Sequence, residues 1–382
     1  MPKNSFYRAI LLTGLFFSLV MLPAGHVSAA EFMVEHPIPG AARNIVVEAP
    51  GRVWFTMPER SSIGLLVVSD TVTFQEFVTP TADSEPYDLA YADGAIWFTE
   101  YAANRIGRLD VASGAIAEYV IPTPDSGPTG IAVGSTGDVW FAQRNGNRLA
   151  RLRSDMSGFA GSAKVVQTSS PERTHTQFET FLPVVAAQSS PIEEYVYGTP
   201  GAQFEDIAVG ANQTVWATAP NLNQVVYLNA RVPAPFFTYV FTTPYGRPLG
   251  ITLDGDGVPW VAPYNANFLI RYAPGTLTFW RPYPIVTPQG SPTQIIFRKK
   301  GSLWEFWFTL NTANQAGQLT TQTNSAPVSL RQSPLPGSAT QPWGIAIDAE
   351  DHVWVAAGDS NRIIEWVPPY FYLEHLPLVH QQ

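Results

Sequence analysis

The sequence predicts an all-β fold, a seven-bladed β-propeller of four-stranded antiparallel blades, on three observations. Seven tryptophans, Trp54, Trp97, Trp140, Trp216, Trp260, Trp307 and Trp354, fall on one register at intervals of 43, 43, 76, 44, 47 and 47 residues. Six have an Asn seven positions on (Asn104, Asn147, Asn223, Asn267, Asn314 and Asn361), with Ser61 in that place after Trp54. Between them lie only short apolar or alternating runs punctuated by Gly, Pro and Asn, and helical periodicity of useful length is missing. A repeat of about 40 to 50 residues built of short strands is the mark of a propeller blade.

Each unit reads in the same order. A first strand such as "TGIAVG" or "LGITLD" passes through a Gly or Asp turn into a second, "DVWFAQ" or "AIWFTE", whose aromatic is large enough to fill the gap between neighbouring blades. A turn ending in Asn follows, suited by a side chain that bonds nearby backbone and tolerates a left-handed conformation. The third strand is exemplified by "RIGRLD" and "RIIEWV", and the outer strand by "FQEFVTP", "IAEYVIP", "IEEYVYG" and "FFTYVFT". Enrichment in β-branched and aromatic residues over five to seven positions suits such strands.

Two departures carry expectations of their own. The 76-residue interval holds a Ser-, Thr-, Gln- and Ala-rich insertion at about 154–190, between the third and outer strands of blade three. It reads either as a surface excursion or as an arm for a protein partner, leaving on the face opposite the start of the first strands. Both "EFMVEHPIP" (31–39) and "FYLEHLPLV" (371–379) resemble outer strands. Pairing of the N-terminal one with the last blade is the preferred closure, because it covers the edge an open sheet exposes; completion of blade seven from the C-terminus is the alternative.

Composition narrows the function classes. The chain has 382 residues, 45% hydrophobic and 14% charged, enough for a large core. Residues 1–30 carry Lys3 and Arg8, an apolar run from Ala9 to Leu22 and small residues at Ala29 and Ala30, the pattern of a secretory signal peptide. An uncleaved membrane anchor is the alternative, for which the run is short. The propeller is therefore assigned to 31–382 and the protein to the periplasm or the extracellular space, with no transmembrane span after cleavage. Without Lys3 and Arg8 the formal net charge moves from -9 to about -11, which disfavours nucleic acid as a partner. With no cysteine, disulfides and thiolate metal ligands are excluded.

The repeat "P-x-G-I-A-V … G-x-[IV]-W-F-T-E … N-x-I-G-R-L-D … G-x-I-x-E-Y" is most complete at Pro128 to Val133, Ile96 to Glu100, Asn104 to Asp110 and Gly114 to Tyr119. It resembles the virginiamycin B lyase (streptogramin lyase) family, with NHL and gluconolactonase-like propellers as near neighbours. The resemblance runs over nearly all of the chain after residue 30, more weakly in blades four to six. It implies seven blades and, for the lyase itself, magnesium-dependent linearisation of a cyclic depsipeptide by elimination at the mouth of the central channel. It also implies histidines at the second position of the first strands and a glutamate closing "WFTE".

Here the second-position residues are Arg43, Tyr87, Thr129, Glu205, Leu249, Thr293 and Trp343, and none is histidine. The glutamate position holds Met57, Glu100, Gln143, Ala219, Pro263, Leu310 and Ala357, so Glu100 alone keeps it. Elimination beside an ester needs a base for the α proton and an acid for the departing alkoxide, roles that suit imidazole. The six histidines (His26, His36, His175, His352, His375, His380) lie elsewhere and show no metal-ligand spacing.

Glu100 and Tyr87 are the candidate catalytic residues, set against Glu100 as a partly solvated residue of the mouth. Arg43, Tyr87, Glu100, Gln143, Glu205 and Trp343 are the candidate ligand-binding set at the channel mouth, with Arg43 and Glu205 either an ion pair or part of a polar pocket, and Tyr87 and Trp343 as stacking surfaces. The metal ligands are undefined; Mg2+ is the only cofactor suggested, and only by the resemblance. "LDGDGVPW" (253–260) reads as a tight turn rather than a calcium loop, which needs about six oxygen ligands and a downstream acid. Two function classes follow: a module that binds a small molecule, peptide or protein at the channel, or a divergent metal-dependent lyase or lactonase-like hydrolase.

Overall fold

The computed structural model describes residues 32–154, 178–184, 191–211, 213–230, 236–242, 246–273, 280–322, 327–337 and 341–367. The signal-peptide segment, the C-terminal "FYLEHLPLV" and most of the insertion lie outside the described residues.

The described chain begins with β1 (Phe32–Pro37) and lays down blade one as β2 (Ile45–Ala49), β3 (Arg52–Met57), β4 (Ser62–Val68) and β5 (Val72–Val78). Blade two is β6 (Pro86–Ala92), β7 (Ala95–Glu100), β8 (Arg105–Asp110) and β9 (Ile116–Val120). Blade three is β10 (Pro128–Val133), β11 (Val139–Gln143), β12 (Arg148–Leu152) and, after β13 (Phe178–Val184) from the insertion, β14 (Ile192–Val196). Blade four is β15 (Ile207–Val209), β16 (Thr214–Ala219), β17 (Gln224–Asn229) and β18 (Phe236–Thr242). Blade five is β19 (Pro248–Leu253), β20 (Pro259–Pro263), β21 (Phe268–Tyr272) and β22 (Trp280–Pro284). Blade six is β23 (Pro292–Lys300), β24 (Leu303–Leu310), β25 (Gln315–Thr321) and β26 (Pro327–Pro334). Blade seven is β27 (Pro342–Ile347), β28 (Val353–Ala357) and β29 (Arg362–Val367), completed by β1 in the sheet order β1-β29-β28-β27. The seven blades form a closed ring, and it is the N-terminal strand that seals it.

Part of the insertion departs from the expectation of a plain loop. The chain leaves β12 at Ser154, at the strand ends opposite the channel mouth, and β13 then lies between the outer strands of two blades. It pairs with β14 through Leu182 to Val184 and with β18 through Phe178 to Phe181, merging blades three and four into one nine-stranded sheet. Backbone groups that two outer strands would leave open are thereby paired.

The core is a set of wedges between blades. Seven apolar clusters join each blade to the next, and the repeat tryptophans sit in them: Trp54 between blades one and two, Trp140 between three and four, and so on to Trp354 between seven and one. The register Asn also meets expectation. Asn104, Asn147, Asn223, Asn314 and Asn361 have φ between 51° and 56°, and Asn104 donates to the carbonyls of Ile121 and Thr123 at 3.2 and 2.9 Å, tying the turn to the end of the outer strand. Asn267 is not left-handed and is the exception.

Blades come in two kinds near the axis. Blades one, two, four and six carry Asn44, Asp88, Asp206 and Gln294 at the third position of the first-strand motif, and Thr56, Thr99, Thr218 and Thr309 on the second strand. Blades three, five and seven carry Gly130, Gly250 and Gly344, with Ala142, Ala262 and Ala356. In the first kind each threonine hydroxyl accepts from its own blade's third-position N–H at 3.1 Å and faces the second-position carbonyl of the next blade, at 2.7 Å for Thr99 to Thr129 and Thr218 to Leu249. In the second kind backbones approach directly: Gly130 N–H donates to the Glu205 carbonyl at 2.8 Å, and a Cβ on Gly130 would lie 2.6 Å from the Asp206 Cα.

Thr218→Val keeps the shape but strands the buried Asp206 N–H and the Leu249 carbonyl. A loss of about 2 kcal/mol is expected from the shift of the denaturant midpoint at unchanged slope.

Candidate functional site at the channel mouth

A leading proline sets the geometry of the mouth. In blades two, three, five, six and seven the ladder between the first two strands is irregular directly after Pro86, Pro128, Pro248, Pro292 and Pro342. Proline has no N–H to donate, and the resulting bulge re-aims the next two side chains. The second- and third-position residues ring the axis, in blades one and four without a leading proline, where Ala42 and Phe204 stand instead. Arg43, Tyr87, Glu205, Leu249, Thr293 and Trp343 line the opening, with Asn44, Asp88, Asp206 and Gln294 beside them, around a cavity of about 50 Å³. This admits water but not a drug-sized ligand, so a larger ligand must lie across the mouth.

Four side chains form one charged cluster there. Tyr87 donates its hydroxyl proton to Glu205 Oε1 and accepts from an Arg144 guanidinium N–H at 2.8 Å. Arg144 also pairs with Glu205 Oε2, and Arg43 stands 3.6 Å from Glu205 Oε1. The Arg43 guanidinium carbon lies 3.6 Å from the centroid of Tyr87 and 4.5 Å from that of Trp343. Tyr101 adds a ring 5.7 Å from Tyr87 and 5.8 Å from the Arg144 guanidinium. Burial pulls the Arg43 guanidinium below its ordinary value; Tyr87 opposes the shift and the charge of Arg144 adds to it.

Beneath the cluster lie two buried acids. Asp88 accepts from the N–H groups of Leu89 and Ile131 at 2.8 and 2.9 Å, and also from Asn44. Asp206 accepts from Ile207 and Ile251 at 2.8 and 2.9 Å. Burial pushes both carboxyls upward, and at Asp206 the charge of Asp88 pushes the same way. Their hydrogen bonds run from one blade to the next, which makes them braces of the channel wall.

Of the residues selected from the sequence, Arg43, Tyr87, Glu205 and Trp343 are brought together, and the Arg43–Glu205 ion pair is present. Glu100 and Gln143 are not brought to that opening. Both are fully buried at the ends of β7 and β11, and neither lines the channel cavity. Gln143 donates to Glu194 Oε1 at 2.9 Å, and Glu194 also accepts from the Thr123 N–H and hydroxyl at 3.2 and 2.8 Å. Blade two repeats the arrangement, with Glu118 accepting from the Thr81 N–H and hydroxyl at 2.9 and 2.6 Å, but it places Glu100 where Gln143 stands. Neither oxygen of Glu100 is held by a well-aligned hydrogen bond, and Ser84 and Arg105 oppose the rise of its carboxyl only in part. Burial first, then the charge of Glu118, push its carboxyl up to about 8. Glu100 is thus fully buried rather than partly solvated, and it stands away from the residues that line the opening. The structure adds Arg144, Tyr101, Asp88 and Asp206, which sequence reasoning missed.

The donors present do not fit a magnesium ion. Both oxygens of Glu205 face guanidinium groups, those of Asp88 and Asp206 face backbone N–H groups, and two arginines at the opening repel a cation. Among the described residues no three His, Asp or Glu side chains gather into a metal site. The Asp254 turn is accounted for without calcium: its carboxylate accepts from the N–H groups of Asp256 and Val258, the Trp260 indole and Arg271, all at 2.8 to 3.0 Å.

A closed seven-bladed propeller with a polar and aromatic cluster over a narrow channel defines the class. Residues 25–163 and 185–365 match the family model of the virginiamycin B lyase family, and the break between them falls within the insertion. The chain belongs to the virginiamycin B lyase family. A streptogramin B lyase structure is 27% identical at a TM-score of 0.70, over 89% of this chain and 98% of that one. Virginiamycin B lyase from Staphylococcus aureus is 26% identical at 0.69, over 88% and 99%. A catalytically inactive histidine-to-alanine variant of the Staphylococcus aureus lyase with quinupristin is 25% identical at 0.68, over 88% and 99%. A search of curated protein sequences found no significant match.

Proposed function

We propose that this family member is a binding module, recognising a peptide-type ligand across the channel mouth without opening it. The observation that carries this is the state of Glu205, the acid at the opening, which is held by Arg43, Arg144 and Tyr87 at once. A carboxylate so neutralised is a poor base and a poor metal ligand. The same groups suit recognition: two guanidiniums offer donors to carbonyl or carboxylate oxygens, and Trp343 and Tyr101 offer faces to flat groups.

Loss of the histidine in the inactive variant of the Staphylococcus aureus lyase supports the same conclusion, since the second-position ring here has none. The leading segment supports export, with the propeller working in the periplasm or outside the cell.

Calorimetric titration with a cyclic type B streptogramin tests the proposal. Saturable binding is expected, with Trp343→Ala and Arg43→Ala each weakening it about tenfold, a cost of about 1.4 kcal/mol. Binding that neither substitution changes would place the ligand elsewhere and overturn the assignment of this mouth.

A further inference from the structure

Trp97 departs from the rule kept by the other six register tryptophans. Those six are buried, and three of them give their indole N–H to an acid six residues earlier: Trp54 to Glu48 at 2.8 Å, Trp260 to Asp254 at 3.0 Å and Trp354 to Asp348 at 3.0 Å. Blade two has Tyr91 in that place, and the Trp97 N–H makes no hydrogen bond to any described residue. Trp97 is instead partly exposed. It forms one wall of a cleft of about 340 Å³ between blades two and three, bordered by the β6–β7 turn and the end of β12. These are the strand ends remote from the channel mouth, so the cleft is separate from the cluster at Glu205.

The chemistry of the walls is specific. Tyr119 presents a second ring 6.0 Å from Trp97 at an interplanar angle of 31°. The Arg108 guanidinium lies 5.6 Å from the Trp97 ring and only loosely paired, 3.7 Å from Asp110. The small residues Ala92, Ala95 and Gly137 also line the cleft, as do the charged Asp93 and Arg153.

We infer that this cleft is a second ligand site, for a small planar ring bearing a carboxylate. The ring packs against Trp97 and Tyr119, as aromatic groups do in binding pockets. The carboxylate accepts from Arg108, whose exposed pair with Asp110 is cheap to exchange, and from the indole N–H, which no described residue engages. The cavity is of the size that small-molecule sites have, roughly 300 Å³ and upward.

The test is calorimetric titration of 2-naphthoate, and of neutral 2-naphthamide, into the full chain. Naphthoate is expected to bind at least tenfold more tightly than the amide. Arg108→Gln should reduce it to the level of the amide, and Trp97→Phe, which keeps a ring but removes the N–H, should weaken it severalfold. Tyr87→Phe and Trp343→Ala at the mouth should leave it within twofold. Arg108 is on the surface, so its variant remains informative if Trp97→Phe folds poorly. Absence of saturable binding at millimolar naphthoate, equal affinity for the amide, or loss through the mouth variants in place of Arg108→Gln would each overturn the assignment.

Discussion

A chain beginning at Ile38, without the closing strand, is expected to lose on the order of 4 kcal/mol of stability, with a fall of roughly 5 to 10 °C in its unfolding midpoint. β1 pairs with β29 over six residues, Phe32 to Pro37, and its removal exposes an edge of blade seven. It also removes His36, whose ring N–H donates to Glu365 Oε2 at 2.9 Å and which stacks 5.9 Å from Trp354. Glu365 would be left with His352 at 2.7 Å as its remaining ionic partner. Burial alone would raise the Glu365 carboxyl, but His36 and His352 hold it below its ordinary value. A carboxyl lowered on folding contributes stability above its unfolded pKa and loses it as pH falls through the folded one, so this pairing should weaken in acid. Urea titration of the two chains at pH 7 measures the loss. Equal midpoints would mean that the ring does not depend on this strand.

Glu100→Gln is expected to stabilise the protein at pH 7 by about 2 kcal/mol and to make its loss of stability between about pH 4.5 and 8 less steep. Burial and the charge of Glu118 outweigh Ser84 and Arg105, which act the other way, and the folded pKa of Glu100 stands at about 8. A carboxyl raised on folding contributes fully below its unfolded pKa and loses that contribution as pH rises through the folded value. The unsubstituted protein should therefore weaken steadily from about pH 4.5 to 8 and level off above. Glutamine cannot ionise, and its amide can do for Glu118 what the Gln143 amide does for Glu194. Thermal unfolding of both proteins across this range distinguishes the outcomes. A destabilised variant, or one whose slope is as steep as that of the unsubstituted protein, would show that Glu100 serves folding as an anion; Asp88 and Asp206, also raised by burial, supply the slope that remains.

The ring was legible because each repeat spends its largest side chain on the same task. A tryptophan every 43 to 47 residues, one interval excepted, marks the wedge between blades, and the Asn after it marks a left-handed turn; both are properties of local sequence. The opening was partly legible, since the second residue of the first-strand motif lines it in every blade but the third. Glu100 and Gln143 were misplaced because a strand end offers two directions one residue apart, and the motif does not say which faces the channel. Arg144, one residue past that position, reaches the opening instead. The buried acids had a signal that was overlooked: Asn44, Asp88, Asp206 and Gln294 occur with a second-strand threonine, and the three glycines with alanine. Phe178–Val184 (FETFLPV) is a largely apolar run inside the otherwise polar 154–190, but its partners are the edges of two separate blades, which no local signal names.

The most direct measurement is chromatography with tandem mass spectrometry of a cyclic type B streptogramin after incubation with the protein and magnesium. Elimination yields a linear isomer of unchanged mass, separated by retention and fragmentation, whereas hydrolysis adds a water. The cluster of Arg43, Arg144 and Tyr87 on Glu205 predicts recovery of the intact ring, bound but unaltered. A linear isomer that disappears with Glu205→Gln would contradict it and make Glu205 part of a lyase that works without the family's histidines.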